Sequence, residues 1–110
     1  MKKYDVFLSG PISGVSDYKL RFAKAFVRVK MANPSARIWN PGVLPDDRDY
    51  EWYMRQCVDA VFDSALVVML PGWEASRGAV AERALARALG IPVELPNGVI
   101  RAAHAARKEN

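Results

Sequence analysis

The chain has 110 residues, of which 51% are hydrophobic and 25% charged, with a formal net charge of +4 and one cysteine. That length makes one domain with a core of its own, expected over residues 1–110, and is too short for a second. No apolar run reaches membrane-spanning length, and the stretch after Met1-Lys-Lys-Tyr-Asp is too short for a secretory leader, so no membrane partner is expected. Cys57 alone makes no internal disulfide, which fits a cytoplasmic protein. The only histidine, His104, lies in the tail, so no Cys/His ligand set exists and metal catalysis is not expected.

The basic residues are dispersed over Lys2, Lys3, the stretch from Lys19 to Lys30, and a tail with Arg101, Arg107 and Lys108. No aromatic-interleaved basic stripe accompanies them, so nucleic acid is not the expected partner. A modest positive field favours instead a phosphorylated small molecule.

In chain order, Tyr4 to Ser9 reads as a short buried strand, stopped by Gly10-Pro11 and Gly14. Ser16 or Asp17 caps a helix from Tyr18 to Met31, with Leu20, Ala23, Val27 and Met31 on one side and Phe22, Phe26 and Val29 widening it. Ala36 to Asn40 forms a second strand, ended by Pro41-Gly42. A polar loop from Val43 to Arg48 leads into a helix over Asp49 to Asp63, with Tyr50, Met54, Val58 and Val61 inward. Ala65 to Leu70 is the clearest strand, and Ser76 to Leu89 a helix closed by Gly90. Ile91 to Leu95 is a fourth strand, Pro96-Asn97-Gly98 a turn, and Val99 to Arg107 a short helix that frays from about residue 102. Strands alternating with helices predict a small α/β domain on a parallel sheet, wound right-handedly.

Two loops then lie at the carboxyl edge of that sheet, Ser9 to Gly14 and Pro71 to Gly78. They face one crevice if their strands are neighbours. Glu82 stands just inside the helix after the second loop, close to Ser76, Arg77 and the backbone around Gly78. Its neighbours one turn away include Gly78, Ala79 and Ala86, small enough for a ligand to approach, and the helix N-terminus is expected to favour its ionised form. Such a carboxylate serves as nucleophile or base; the alternative is an exposed glutamate paired with Arg83 or Arg87. Ser76 is an N-cap, a phosphate contact, or both. Arg77 clamps an anion or is simply exposed. Trp73 stacks on a nucleobase, packs as a lid, or meets another subunit. The Gly10–Gly14 loop lacks the Walker ending and the GxGxxG pattern, so it is a weak phosphate cradle taken alone.

Taken together, Leu8-Ser-Gly-Pro-Ile-Ser-Gly14, Asn40-Pro41, Trp52-Tyr53-Met54-Arg55 and the block Leu70-Pro-Gly-Trp-Glu-Ala-Ser-Arg-Gly-Ala79 resemble a known group. Glu82 and Ala86-Arg-Ala-Leu-Gly-Ile-Pro-Val93 extend the match over nearly the whole chain. The group is the nucleoside 2-deoxyribosyltransferase-like superfamily, in particular its short DUF4406 members, often carried by phages. The resemblance implies a flavodoxin/Rossmann-like three-layer sandwich with a parallel sheet of four or five strands. It implies cleavage or exchange of the N-glycosidic bond of a (deoxy)nucleoside or its 5′-monophosphate, with Glu82 as nucleophile, no cofactor, and a homodimer or higher homo-oligomer. The cytokinin-activating phosphoribohydrolases are similar in their Pro-Gly…Gly…Glu arrangement and act on the same kind of bond.

The substrate-binding positions expected from the loops and the resemblance together are Phe7, Ser9, Gly10, Pro11, Ile12, Ser13, Gly14, Cys57, Gly72, Trp73, Ser76, Arg77 and Gly78. Four positions depart from its pattern. Phe7 stands where a tyrosine usually orients the glutamate, Cys57 and Ala65 stand where aspartates are usual, and Ser13 replaces an arginine of the hydrolases. Asp59 does not substitute for the aspartate at position 57, since two residues turn a helix by about 200°. The alternative the departures raise is a nucleotide-binding or regulatory module of the same fold that has lost turnover.

Overall fold

A computed structural model describes residues 2–101 of the chain. The elements run β1 (Val6–Ser9), α1 (Tyr18–Ala32), β2 (Ile38–Trp39), α2 (Tyr50–Phe62), β3 (Val67–Met69), α3 (Arg77–Ala88), β4 (Val93–Glu94) and β5 (Ile100–Arg101). The sheet order is β2-β1-β3-β4-β5, with the first four strands parallel and β5 antiparallel at the edge. This is the expected three-layer sandwich.

The strands are apolar on both faces because both are covered, as a parallel sheet requires. Successive side chains alternate between two cores. Val6, Leu8, Val68 and Leu70 pack against Phe22 and Ala25 of α1. Phe7, Val67, Met69 and Val93 pack on the opposite face against Cys57, Ala60 and Val61 of α2 and Ala79 and Ala86 of α3. Ser9 follows Phe7 by two positions and so points to the α2/α3 side.

Caps set the helix starts. Asp49 accepts from the Trp52 amide at 2.8 Å at the head of α2, and Ser76 accepts from the Ala79 amide at 3.2 Å at the head of α3. Asp17 precedes α1 without a side-chain cap and pairs with Arg21 at 2.9 Å instead. At the other end of β1, Asp5 takes the Arg37 backbone amide at 2.7 Å and its guanidinium at 2.9 Å, joining the entries to β1 and β2.

Besides the missing cap of α1, two further expectations fail. α1 does not bury Leu20, Val27 and Met31, which are 54%, 54% and 79% exposed. The sheet takes the face one step round, where Phe22 and Ala25 are flanked by Tyr18, Phe26 and Val29, because aromatic rings cover more strand surface. The helix expected from Val99 begins instead as a strand. Asn97 accepts from the Val99 amide at 3.0 Å, and the Leu95 amide donates to the Val99 carbonyl at 2.7 Å, closing a hairpin that pairs β5 with β4. The remainder of that expected helix, to Arg107, lies outside the described residues. No helix among the described residues is long and apolar enough to cross a membrane.

Candidate functional site

The crossovers diverge between β1 and β3. The chain leaves β1 through α1 on one face, whereas α2 and α3 lie on the other. Ligand crevices form at the carboxyl ends of strands where this happens. Phe7, Leu8 and Ser9 pair with Val67, Val68 and Met69, so the loops that follow β1 and β3 emerge side by side, as the two-loop crevice requires. The approach is close: a Cβ on Gly10 would stand 2.8 Å from the Leu70 Cβ.

A cavity of about 530 Å³ opens there, within the size range of small-molecule sites. β1 and its loop contribute Gly10, Ile12 and Ser13; the start of α3 contributes Ser76, Arg77, Gly78 and Glu82; α2 contributes Cys57. Of the residues expected from the sequence, these eight are brought together. Gly78 faces α2 across the cavity, where a Cβ would stand 3.4 Å from the Met54 sulfur and 3.7 Å from the Tyr50 hydroxyl, in ordinary contact.

Glu82 is the chemical centre of the cavity. It occupies the inward stripe of α3 between Ala79 and Ala86, and only 7% of its surface is exposed. Ser9 Oγ donates a hydrogen bond to Glu82 Oε1 at 2.6 Å, within the short range of charge-assisted bonds. The Cys57 thiol lines the cavity beside the same carboxylate. Burial pushes the Glu82 carboxyl up to about 7, and the Ser9 hydrogen bond and the nearby Cys57 thiol only partly oppose it. This corrects the expected dominance of the helix N-terminus: Glu82 lies beyond the first turn, where the dipole fades, and desolvation wins. No ion pair to Arg83 or Arg87 forms among the described residues. Burial, with the Glu82 charge second, also drives the Cys57 thiol well above its ordinary range, so it stays protonated.

Phe7 is fully buried in the core and does not line the cavity. The support for the glutamate comes instead from Ser9, on the same face and one alternation further toward the loop. Trp73 also stands apart from the lining: it is half-buried against the α2/α3 core, with the Arg83 guanidinium 5.0 Å above its ring. Pro11, Gly14 and Gly72 shape the two loops without lining the cavity. Ser76 caps α3 and also faces the cavity.

The residues that sequence reasoning missed come from the opposite wall. Arg48, Tyr50, Tyr53 and Met54 line the cavity. The helical period gives the signal: one turn back from Cys57 on the same face are Tyr53 and Met54, and one further turn back is Tyr50. Arg48 is held by its loop. Asp46 receives the Tyr18 hydroxyl at 3.1 Å and pairs with Lys19 at 2.7 Å, while the Tyr53 hydroxyl donates to the Pro45 carbonyl. The guanidinium of Arg77 lies 4.8 Å over the Tyr50 ring and that of Arg48 lies 5.1 Å over the Trp52 ring. The mouth therefore carries two guanidinium groups and the hydroxyls of Ser13 and Ser76, and the buried floor a single carboxyl group.

With this geometry in place, a family model described as "Domain of unknown function (DUF4406)" matches residues 4–95. The chain belongs to that family. The match covers β1 through β4 and every residue of the cavity. No curated protein and no solved structure matches the chain. Among the described residues no cluster of His, Cys, Asp and Glu is arranged to hold a metal ion.

Proposed function

We propose that this DUF4406 protein cleaves or exchanges the N-glycosidic bond of a (deoxy)nucleoside or nucleoside 5′-monophosphate, with Glu82 as nucleophile. The observation that carries the reading is the carboxyl group of Glu82 at the cavity floor, desolvated and held by Ser9 at 2.6 Å. A Glu82 oxygen attacks the anomeric carbon, the C–N bond breaks, and its electron pair leaves with the base, which takes up one proton. Water, or a second base, then attacks the same carbon and releases the carboxylate, in the manner of retaining glycosidases. A carboxyl that titrates near neutrality is available both as a nucleophile and as a proton acceptor.

The mouth supports a phosphorylated substrate. Arg48 and Arg77 offer planar guanidinium donors, and Ser13, Ser76 and the head of α3 add neutral ones. Tyr50 and Tyr53 give the aromatic surface for a base, in place of Trp73. The reading includes no cofactor. It includes a homo-oligomer, for which the exposed Leu20, Val27 and Met31 along α1 are the apolar face a second copy would cover.

One observation favours a second reading, a nucleotide-binding module without turnover. Glu82 is the only carboxylate among the described residues that line the cavity, so no second carboxyl is at hand to protonate the leaving base. Trapping separates the two. A 2-fluorinated nucleoside 5′-monophosphate should leave one sugar-phosphate attached to the tryptic peptide Gly78–Arg83 of the enzyme. A module would bind the compound and release it unchanged.

A further inference from the structure

The proposed cleavage leaves the departing base in need of a proton, and Glu82 is the only carboxyl group lining the cavity among the described residues. The other polar groups there differ in what they can give. The guanidinium groups of Arg48 and Arg77 do not release a proton near neutrality. The Cys57 thiol is desolvated and keeps its own. Ser13 and Ser76 are alcohols, weaker acids than a phenol, and Ser76 also caps α3. The Tyr53 hydroxyl donates to the Pro45 carbonyl. Tyr50 is left, and its hydroxyl has no hydrogen-bond partner among the described residues.

Its position suits a proton donor. Tyr50 is the first residue of α2, set there by the Asp49 cap, and the Arg77 guanidinium lies 4.8 Å over its ring. Its hydroxyl oxygen stands 3.7 Å from where a Cβ on Gly78 would be, so it rests over the first turn of α3. Gly78 precedes Glu82 by four residues on one face of that helix, and helical side chains lean back toward the N-terminus. The phenol and the carboxyl group therefore flank the cavity about one helical turn apart, roughly 5–6 Å along α3, comparable to the spacing of the two reacting groups in retaining glycosidases.

We infer that Tyr50 is the acid of this reaction, a catalytic residue that hands its phenolic proton to the departing base. The inference rests on the reading of Glu82 as nucleophile. As a Glu82 oxygen bonds to the anomeric carbon, the C–N electron pair moves onto the base, and the Tyr50 O–H bond breaks to form an N–H bond on it. The phenolate recovers a proton from the water, or the second base, that attacks the carbon in the next step. Phenols and the ring N–H of free nucleobases are acids of similar strength, so such a transfer is close to balanced. Tyr50 is 43% exposed, which puts the exchange at the mouth, where the base leaves.

The test compares Tyr50→Phe with wild type on two kinds of nucleoside 5′-monophosphate. Those with adenine or guanine need a proton for the base to depart. One with guanine methylated at N7 is already cationic in the base, which departs neutral. Tyr50→Phe should lower kcat on the ordinary substrates by about 100-fold or more, with KM within about threefold because the ring remains. On the methylated substrate the loss should be less than about threefold. An undiminished kcat on the ordinary substrates overturns the role of Tyr50, and so does an equal loss on both kinds, the mark of a structural effect. In both of those cases base release that Glu82→Gln abolishes leaves the nucleophile standing. No base release from either kind by wild type overturns the nucleophile and the acid together.

Discussion

Ser9 Oγ and Glu82 Oε1 lie 2.6 Å apart although 73 residues separate them in the chain. The bond ties the last residue of β1 to the middle of α3, and it does so at the point where the sheet changes winding direction. The loop after β1, the loop after β3 and the nucleophile candidate are thereby held in one rigid frame. Such support of a reacting group by packed elements is what keeps a site at working geometry.

Burial of Glu82 makes stability and activity run in opposite directions with pH. Its folded-state value of about 7 lies above the ordinary 4.5, so the folded protein holds the proton more tightly than the unfolded chain. The stability this gives is complete below about 4.5 and is lost as pH rises through about 7, a fall of about 3 kcal/mol. Glu82→Gln, which mimics the neutral acid, should flatten that fall and be more stable than wild type at pH 8, by urea unfolding at several pH values. Base release by wild type should rise through the same interval as the carboxylate forms.

Ser9→Ala removes the strongest support of the carboxylate. The Glu82 carboxyl should then titrate higher still, and the rising limb of the pH–rate profile should move to higher pH. Stability at pH 8 should drop by about 2 kcal/mol, the cost of losing a hydrogen bond to a charged group, and much less at pH 5, where the acid is neutral. Parallel unfolding curves at the two pH values check both parts.

Gly10→Ala tests the close approach of β1 and β3. The new Cβ would meet the Leu70 Cβ at 2.8 Å, a methylene fixed directly to the backbone that cannot swing aside. The two loops must spread, at a cost of about 1–3 kcal/mol. Nucleotide binding should weaken along with stability, as followed by thermal shift with a nucleoside 5′-monophosphate.

Acid stability should depend on Asp5. Hydrogen bonds from the Arg37 side chain and backbone hold its carboxyl at about 2, below the ordinary 3.8. That contribution is present above 3.8 and is lost as pH falls through about 2. Asp5→Asn should therefore remove part of the loss of stability seen between pH 4 and pH 2, measured by circular dichroism during acid titration.

Much of this was legible in local patterns. The continuously apolar strands, the caps Asp49 and Ser76, and the glycine-containing loops at two strand ends are set by neighbours a few residues away. Glu82 was legible for the same reason, since it follows a strand, a Pro-Gly turn and a helix start in unbroken order. What was not legible depends on contacts distant in sequence. Ser9 was legible as a site position, but its bond to Glu82 exists only because β1 lies beside β3 and faces α3. Arg48 reaches the cavity only because Asp46 is anchored on α1. The inward face of α1 was misread because its apolar residues cover more than one side, and only the sheet decides which is used. Ile100 and Arg101 pair with β4 because the turn before them closes a hairpin, a pairing that the local apolar pattern did not signal.

The most direct measurement is release of free base from the common deoxynucleosides and their 5′-monophosphates, followed by chromatography, for wild type and Glu82→Gln. The account predicts base release by wild type, faster with a monophosphate, and none by Glu82→Gln. Base release undiminished in Glu82→Gln, or none from any substrate with wild type, would contradict it.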